Sequence, residues 1–154
     1  MRITLIAVGK LKERHWREAA QEYIKRLGAY ATLKIVEITD RDVTRDEARA
    51  MEQEGADILK AIPDGAHVVA LDVKGNQMSS PDIASWISGH GLDGRSHLAL
   101  IIGGSAGLSP QVLARVDERI SLGRITLPHQ LARVVVLEQV YRAFRIMRNE
   151  PYHR

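Results

Sequence analysis

The chain has 154 residues, of which 45% are hydrophobic and 27% charged, and this size and composition fit one globular domain. The absence of cysteine excludes disulfides, thiolate metal sites and a cysteine nucleophile. The net charge is +3, and no run of 18 apolar residues is present, which excludes a transmembrane helix. We therefore expect a cytoplasmic protein.

The first half of the chain alternates between strand-like and helix-like segments. A β-branched apolar run at residues 2–8 predicts a strand and not a signal peptide, because no small-residue cleavage site follows it. Residues 13–27 carry apolar side chains at helical spacing, and residues 32–38 alternate like a half-buried strand. Thr44 and Glu47 form a capping box that predicts a helix ending near residue 62.

The second half continues this alternation, and its helices are marked by serine followed by proline. We expect the last six residues to be extended after the long final helix, because a proline stands among them. In chain order the elements are a strand at 67–72 closed by a Lys-Gly-Asn turn, a helix starting at Ser80, a strand at 97–102, a helix starting at Ser109, a short strand at 120–122 and a helix at 129–148.

Strands that are apolar throughout, each followed by a helix, predict an α/β fold with a five-stranded parallel sheet covered on both faces. Ligands of such sheets bind beyond the carboxyl ends of the strands. The loops that could carry chemistry are therefore residues 72–77, 103–108 and 122–128.

Two of these loops contain glycine where a backbone could approach a ligand closely. The sequence IIGGSAGLSP is neither a P-loop nor a dinucleotide fingerprint, so a simple glycine turn is the alternative interpretation. The sequence LGRITLPH joins apolar side chains to free backbone amides, which suits a flat adenine ring. Together with Leu71 and Asp72 at a third strand end, the loops predict a cofactor pocket.

The sequence lacks the motifs that mark metal sites, receiver domains and serine hydrolases. His67 and His97 each begin a predicted strand, where a half-exposed polar residue is the expected role, and no H-E-x-x-H motif or carboxylate cluster is present. We therefore expect no metal. The first strand does not end in paired aspartates, which excludes a receiver domain, and no G-x-S-x-G elbow is present for a serine hydrolase.

The positive charge is concentrated in the last part of the chain. Residues 120–154 contain six arginines and two glutamates, whereas the first 119 residues contain 16 basic and 17 acidic side chains. Arginine suits phosphate and base contacts, so this segment is a candidate surface for nucleic acid. The alternative is a helix face on which arginines pair with acids.

The segments IIGGSAGLS, SLGRITLPHQLARVVVLEQVYRA and PYHR, with ITLIAVGKLKE and VVALDVKG, resemble the ribosomal RNA large subunit methyltransferase H family of SPOUT-class enzymes. The loop after Leu122 departs from the family in having Gly123-Arg124 where a small polar residue is more usual. The resemblance implies one α/β-knot domain over residues 1–154 with a mostly parallel sheet of five to six strands. The part from about residue 103 onward would form the knot, the cofactor site and a catalytic tail.

The resemblance also implies the reaction and its participants. The cofactor would be S-adenosyl-L-methionine, the enzyme a homodimer without metal or membrane contact, and the target N3 of pseudouridine 1915 in helix 69 of 23S rRNA on assembled ribosomes. The cofactor contacts implied by the matching motifs are Leu71, Gly103, Leu122, Gly123, Arg124, Ile125, Thr126 and Leu127.

At neutral pH the ring N3 carries a proton. Either a base must remove this proton, or a cation must stabilise the anion that its loss leaves. His153 is the candidate base, with Arg142 or Arg154 stabilising charge on the ring oxygens and Tyr152 as a stacking partner for the flipped base. His129 and Glu138 are the other candidate bases. Two alternative functions are a nucleotide-binding domain without transferase activity and a ribosome-assembly factor.

Overall fold

The computed structural model describes residues 1–92 and 96–152 and has the alternating α/β architecture that the sequence predicts. Within the described residues, none of the helices combines the length and hydropathy needed to cross a bilayer. The strands are β1 (Arg2–Val8), β2 (Thr32–Ile38), β3 (His67–Gln77), β4 (His97–Ile102) and β5 (Glu118–Ser121). The helices are α1 (Arg14–Leu27), α2 (Glu47–Ala61), α3 (Ser80–Leu92), α4 (Pro110–Arg115) and α5 (His129–Met147).

The five strands form one sheet in the order β2-β1-β4-β3-β5, and every pairing is parallel. One face is covered by α1, α3 and α5, and the other by α2 and α4. The central strands β1 and β4 are buried along nearly their whole length, which explains their almost wholly apolar sequences. The predicted α/β sheet covered on both faces is confirmed, and the knot implied by the resemblance stays a prediction.

Strand β3 is longer than the sequence indicates, because the Lys-Gly-Asn segment that we interpreted as a closing turn lies inside it. A bulge between Leu71 and Asn76 lets both residues pair with Ile120 of β5. A Cβ at Gly75 would lie 2.6 Å from the backbone of Ile120, so only glycine allows this approach. The predicted end of the strand at residue 72 is therefore wrong, because β3 continues past the bulge and pairs again with β5 at Asn76 and Gln77.

The N-cap of helix α2 lies two residues later than the sequence predicts. Thr44 bonds through both its amide and its hydroxyl to Asp42, which removes it from capping. Asp46 is the N-cap instead and accepts a hydrogen bond from the amide of Arg49 at 3.0 Å. The capping box at Thr44 is therefore wrong, since a local Asx turn competes for the same hydroxyl.

The chain turns back at the end of α5 and does not continue as the extended tail that we expected. Asn149 has a φ of 52°, and its amide bonds to the carbonyl of Ile146. The amide of Glu150 bonds to the carbonyl of Arg145 at 2.9 Å, which completes a Schellman motif with asparagine at its left-handed position. This reversal places Tyr152 back against α5.

Candidate active site

A cavity of about 790 Å³ opens beyond the carboxyl ends of β4 and β5, beside the bulge of β3. Its position is the one expected for ligands of parallel sheets, and its volume lies in the range of sites for small molecules and cofactors. The lining residues come from β3, the loop after β4, α4, the turn after β5 and the start of α5: Leu71, Asp72, Val73, residues 102–108, Leu113, residues 121–123, residues 125–128, His129 and Ala132.

One wall of the cavity is the glycine-rich loop after β4. The amide of Gly107 donates to the carbonyl of Gly104 at 3.0 Å, and Gly107 has a φ of +83°, so the loop folds into a tight turn. A Cβ at Gly103 would lie 2.9 Å from the carbonyl oxygen of Gly107. Gly103 is therefore required by the packing of the loop on itself, before any contact with a ligand is considered.

The opposite wall is the turn after β5, which is fixed by Ser121. Its buried hydroxyl donates to the carbonyl of Gly123 at 3.0 Å and accepts from the amide of the same residue at 3.2 Å. Gly123 has a φ of +120°, and a Cβ there would meet open space. The turn thus presents bare main chain to the cavity. Sequence analysis missed Ser121, although a serine two residues before a glycine at a strand end is a recognised turn signal.

The cofactor residues implied by the resemblance come together around this one cavity, with the exception of Arg124. Arg124 is exposed and is not part of the lining. The rim carries exposed apolar groups, since Val73 and Ile125 are 74% and 70% exposed. The residues that do line the cavity are Leu71, Gly103, Leu122, Gly123, Ile125, Thr126 and Leu127.

Among the described residues that line the cavity, one is a histidine, His129, the first residue of α5. Its Nε2 lies near Gly9, where a Cβ would be 3.5 Å away. The N-cap of α5 is Pro128, and none of the described side chains caps this helix end by a hydrogen bond. His129 is therefore a cavity residue, and it does not cap α5.

Arg142 and Tyr152 lie together, but in a second cluster centred on Glu138. Arg142 donates to Glu138 Oε1 from Nε at 2.9 Å and from Nη2 at 2.5 Å, and its guanidinium lies 4.6 Å from the centre of the Tyr152 ring. The Tyr152 hydroxyl donates to the same oxygen at 3.2 Å, and its ring packs edge-on against Tyr141. His153 and Arg154 lie outside the described residues.

The electrostatics of the second cluster keep both groups protonated at neutral pH. Burial, a hydrogen bond with Tyr23 and the charge of Glu138 raise the pKa of Tyr152 to about 12. The hydrogen bond to Glu138 raises the pKa of Arg142 above its usual value. Tyr152 can therefore stack or donate a hydrogen bond, but it does not act as a base.

The two clusters are separate within one chain. His129 at the cavity and Glu138 in the second cluster are nine positions apart on α5, which corresponds to roughly 14 Å along the helix axis. Neither Arg142 nor Tyr152 lines the cavity. One chain therefore does not bring these two catalytic candidates to the residues implied for the cofactor.

Several arginines of the basic C-terminal segment are paired within the chain. Arg133 is 2% exposed and lies 2.6 Å from Glu37, while Arg142 pairs with Glu138 and Arg145 with Glu150. For these three the salt-bridge interpretation is correct. Exposed basic side chains from elsewhere, Lys10, Lys12 and Arg17, line a second cavity of about 760 Å³ between α1, β2 and α5.

Comparison with known proteins gives matches along the whole chain. A family model described as "Predicted SPOUT methyltransferase" matches residues 1–153. The chain is 50% identical over 159 residues to "Ribosomal RNA large subunit methyltransferase H" of Listeria monocytogenes serotype 4a (strain HCC23), and 48% identical over 160 residues to the protein of that name from Clostridium kluyveri (strain NBRC 12016). A protein of the same name from Carboxydothermus hydrogenoformans is 47% identical, and each alignment covers 100% of both chains.

Proposed function

We propose that this chain methylates rRNA of the large ribosomal subunit. It belongs to the SPOUT methyltransferase family and, within that family, to the group of ribosomal RNA large subunit methyltransferase H. The observation that carries the proposal is the cavity at the carboxyl ends of the strands, in a chain that matches its relatives over their full length. We propose that this methylation takes place in the cytoplasm, on ribosomes, and that residues 1–154 form one domain.

The methyl donor that we propose is S-adenosyl-L-methionine, held in the cavity of about 790 Å³. The residues present fit such a group, because Leu71, Leu122 and Leu127 offer apolar walls for a flat adenine. The main chain at Gly107 and Gly123 has no Cβ to keep a ligand away. When bound, the cofactor supplies an activated methyl group on sulfur, and the chain supplies position and orientation.

The acceptor that we propose is N3 of the pseudouridine in the helix 69 loop of 23S rRNA. The proton on N3 must leave as the new bond to carbon forms, so a base within hydrogen-bond reach is required. His153 is our candidate base, and Arg142 and Arg154 are candidates to stabilise negative charge on the ring oxygens. Tyr152 is assigned to stacking, because its pKa of about 12 keeps the phenol neutral.

The separation of the two clusters supports a homodimer in which the tail of one protomer serves the cavity of the other. Within one chain Tyr152 rests beside Glu138, roughly 14 Å along α5 from the cavity residue His129. A two-fold assembly gives each cavity access to a second copy of the tail. It also doubles the number of basic side chains that can contact phosphates. We retain the knot, formed from about residue 103 onward, as part of this proposal.

The experiment is methyl transfer from labelled S-adenosyl-L-methionine to purified ribosomes, followed by mapping of the modified nucleotide. We expect label in large-subunit rRNA at the N3 of one pseudouridine. Binding of the cofactor without transfer would identify a nucleotide-binding domain, and ribosome binding that ignores the cofactor would identify an assembly factor. Label at another nucleotide would retain the methyltransferase and overturn the assigned target.

A further inference from the structure

Three side chains capable of binding a metal meet at the edge of the sheet opposite the cavity. His67 is the first residue of β3, Glu118 is the first residue of β5, and His90 lies in the last turn of α3. One ligand atom of each lies within 4.8 Å of the other two. The strands β3 and β5 start at this edge and end near the cavity, so the cluster is a separate site.

The distances within the cluster suit a small cation. Oε1 of Glu118 lies 2.6 Å from Nε2 of His67 and 3.3 Å from Nε2 of His90. Tetrahedral Zn²⁺ with bonds of about 2.0–2.1 Å places its ligand atoms roughly 3.3 Å apart. The pair of His90 and Glu118 already has this separation, the pair of His67 and Glu118 is closer, and the ligand atoms of all three side chains lie within 4.8 Å of one another. Two imidazoles with one carboxylate favour Zn²⁺ or Co²⁺ over Mg²⁺ or Ca²⁺.

Each of two ligands has an outer partner that orients it. Oδ2 of Asp117 lies 3.6 Å from Nδ1 of His67 and accepts from the amide of Val68, which holds the carboxylate in place. With its proton on Nδ1, facing Asp117, His67 presents a lone pair on Nε2. The indole of Trp86 donates to the second oxygen of Glu118 at 2.9 Å. Carboxylate partners behind ligating histidines are typical of metal sites in proteins.

The cluster is also rigid and mostly shielded. The side chains of His67 and His90 are 10% and 8% exposed, and their rings lie 4.3 Å apart between centroids. Trp86 packs edge-on against His90. The Glu118 side chain is 36% exposed and leaves a path for an ion.

We propose that His67, His90 and Glu118 bind one divalent transition-metal cation, with Zn²⁺ as the natural occupant, and that this ion ties the end of α3 to the starts of β3 and β5. The site is structural, because it lies at the opposite edge of the sheet from the cavity. The prediction that the chain holds no metal rests on the interpretation of His67 as a half-exposed polar residue. The structure shows instead that the His67 side chain is 10% exposed and lies beside two carboxylates.

The test uses the full-length chain without an affinity tag, stripped with a chelator and titrated with Zn²⁺ or Co²⁺. We expect one ion per chain, visible absorption bands of low-coordinate Co²⁺, and a rise in Tm of roughly 8 °C at Zn²⁺ concentrations about 100 times Kd. His67→Gln and Glu118→Gln should weaken binding at least about 10-fold. His15→Gln, at an exposed position on α1, is the matched control and should bind like the parent.

Equal binding by the parent and both variants, or no stoichiometric binding by the parent, would overturn the site and leave a hydrogen-bonded cluster. A readout on the unmodified chain covers the case in which a variant does not fold. In NMR spectra of the histidine ring nitrogens, Zn²⁺ should shift the signals of His67 and His90 and leave those of His97 unchanged. Shifts at other histidines without these two would also reject the proposal.

Discussion

At the scale of the single residue, Gly123 is the position where backbone conformation most directly shapes the candidate cofactor site. Its φ of +120° is unfavourable for any residue with a Cβ, at a cost of about 1–3 kcal/mol. Gly123→Ala should relax this strain by moving the turn that Ser121 holds against the cavity. We expect the Kd for S-adenosyl-L-methionine, measured by calorimetry, to rise at least about 10-fold.

The matched control is Gly65→Ala, at an exposed turn before β3 with a φ of +70°. It should lower the free energy of unfolding by about 1–2 kcal/mol without changing the Kd, because it lies away from the cavity. Gly103 is a poorer test, since a Cβ there meets the carbonyl of Gly107 and disturbs the loop itself. Unchanged cofactor binding in a folded Gly123→Ala protein would remove this turn from the site.

His97 is a single residue that makes the free energy of unfolding depend on pH. Burial, with smaller effects of Arg2 and Lys34, lowers the pKa of His97 below its ordinary value of 6.5. The unfolded chain therefore takes up a proton near pH 6.5 that the folded chain refuses, and the free energy of unfolding falls as the pH drops below 6.5 toward the lowered pKa. In the parent, Nε2 of His97 lies 2.9 Å from Thr4 Oγ1. The glutamine side chain of His97→Gln can still reach this oxygen.

We expect His97→Gln to flatten the loss of stability between pH 7 and pH 5, because the substituted side chain does not titrate. Urea unfolding at several pH values in this range measures the effect. His15→Gln serves again as the exposed control and should retain the slope of the parent. A slope in His97→Gln as steep as that of the parent would show that burial of His97 contributes nothing to it.

At the scale of the element, the reversed end of α5 is the feature to test. Deleting residues 152–154 removes His153, and we expect methyl transfer to fall at least about 100-fold, the lower end for losing an acid–base group. Cofactor affinity should change little, because the tail is assigned to the acceptor base and Tyr152 does not line the cavity of its own chain. Losing its contact with Tyr141 should cost about 1 kcal/mol of stability. Single-turnover methylation of ribosomes, with calorimetry in parallel, measures both.

His153→Ala separates the base from the packing of the tail. If the imidazole removes the proton, this variant reproduces most of the loss seen in the deletion while keeping Tyr152 on α5. Tyr152→Phe is the companion variant, since it retains the ring and loses the hydrogen bond to Glu138. Full activity of the deleted protein would contradict the assignment and move the search for the base to His129 or Glu138.

The same scale shows what a sequence can and cannot predict. Strands such as β1 and β4 are predictable because burial on both faces demands an apolar run. The error at Thr44 arose because two capping motifs lie side by side, and only geometry selects Asp46. The extension of β3 through Gly75 depends on β5, about 45 residues away along the chain, and no local pattern signals it.

At the scale of the whole molecule, the cofactor loops were predictable and the meeting of distant side chains was not. Glycine-bearing loops at strand ends point to one edge of the sheet once the strands are parallel. By contrast, His67 and Glu118 meet across 51 positions of sequence because β3 and β5 are neighbours, which follows from the strand order. The separation of Tyr152 from the cavity likewise depends on the reversal at Asn149.

This separation yields a prediction for the assembled enzyme. Sedimentation at micromolar concentration should give a dimer, and a fully active monomer would contradict the composite site. The decisive test mixes a chain carrying Gly123→Ala with a chain lacking residues 152–154. If each tail serves the partner's cavity, a mixed dimer has one site with both defects and one site with neither. Activity then returns although each variant alone is impaired.

Random pairing makes about half of the dimers mixed, each with one intact site. At a cofactor concentration well below the Kd of the Gly123→Ala chain, we therefore expect roughly a quarter of the parent's activity in an equal mixture. Co-expression with subunits of distinguishable mass lets the mixed dimer be purified and assayed alone, where roughly half the activity is expected. If each tail serves its own chain, every site in the mixed dimer carries one defect, and activity stays at the level of the two variants. That result would place the tail with the cavity of its own protomer, which requires Tyr152 to leave Glu138 during the reaction.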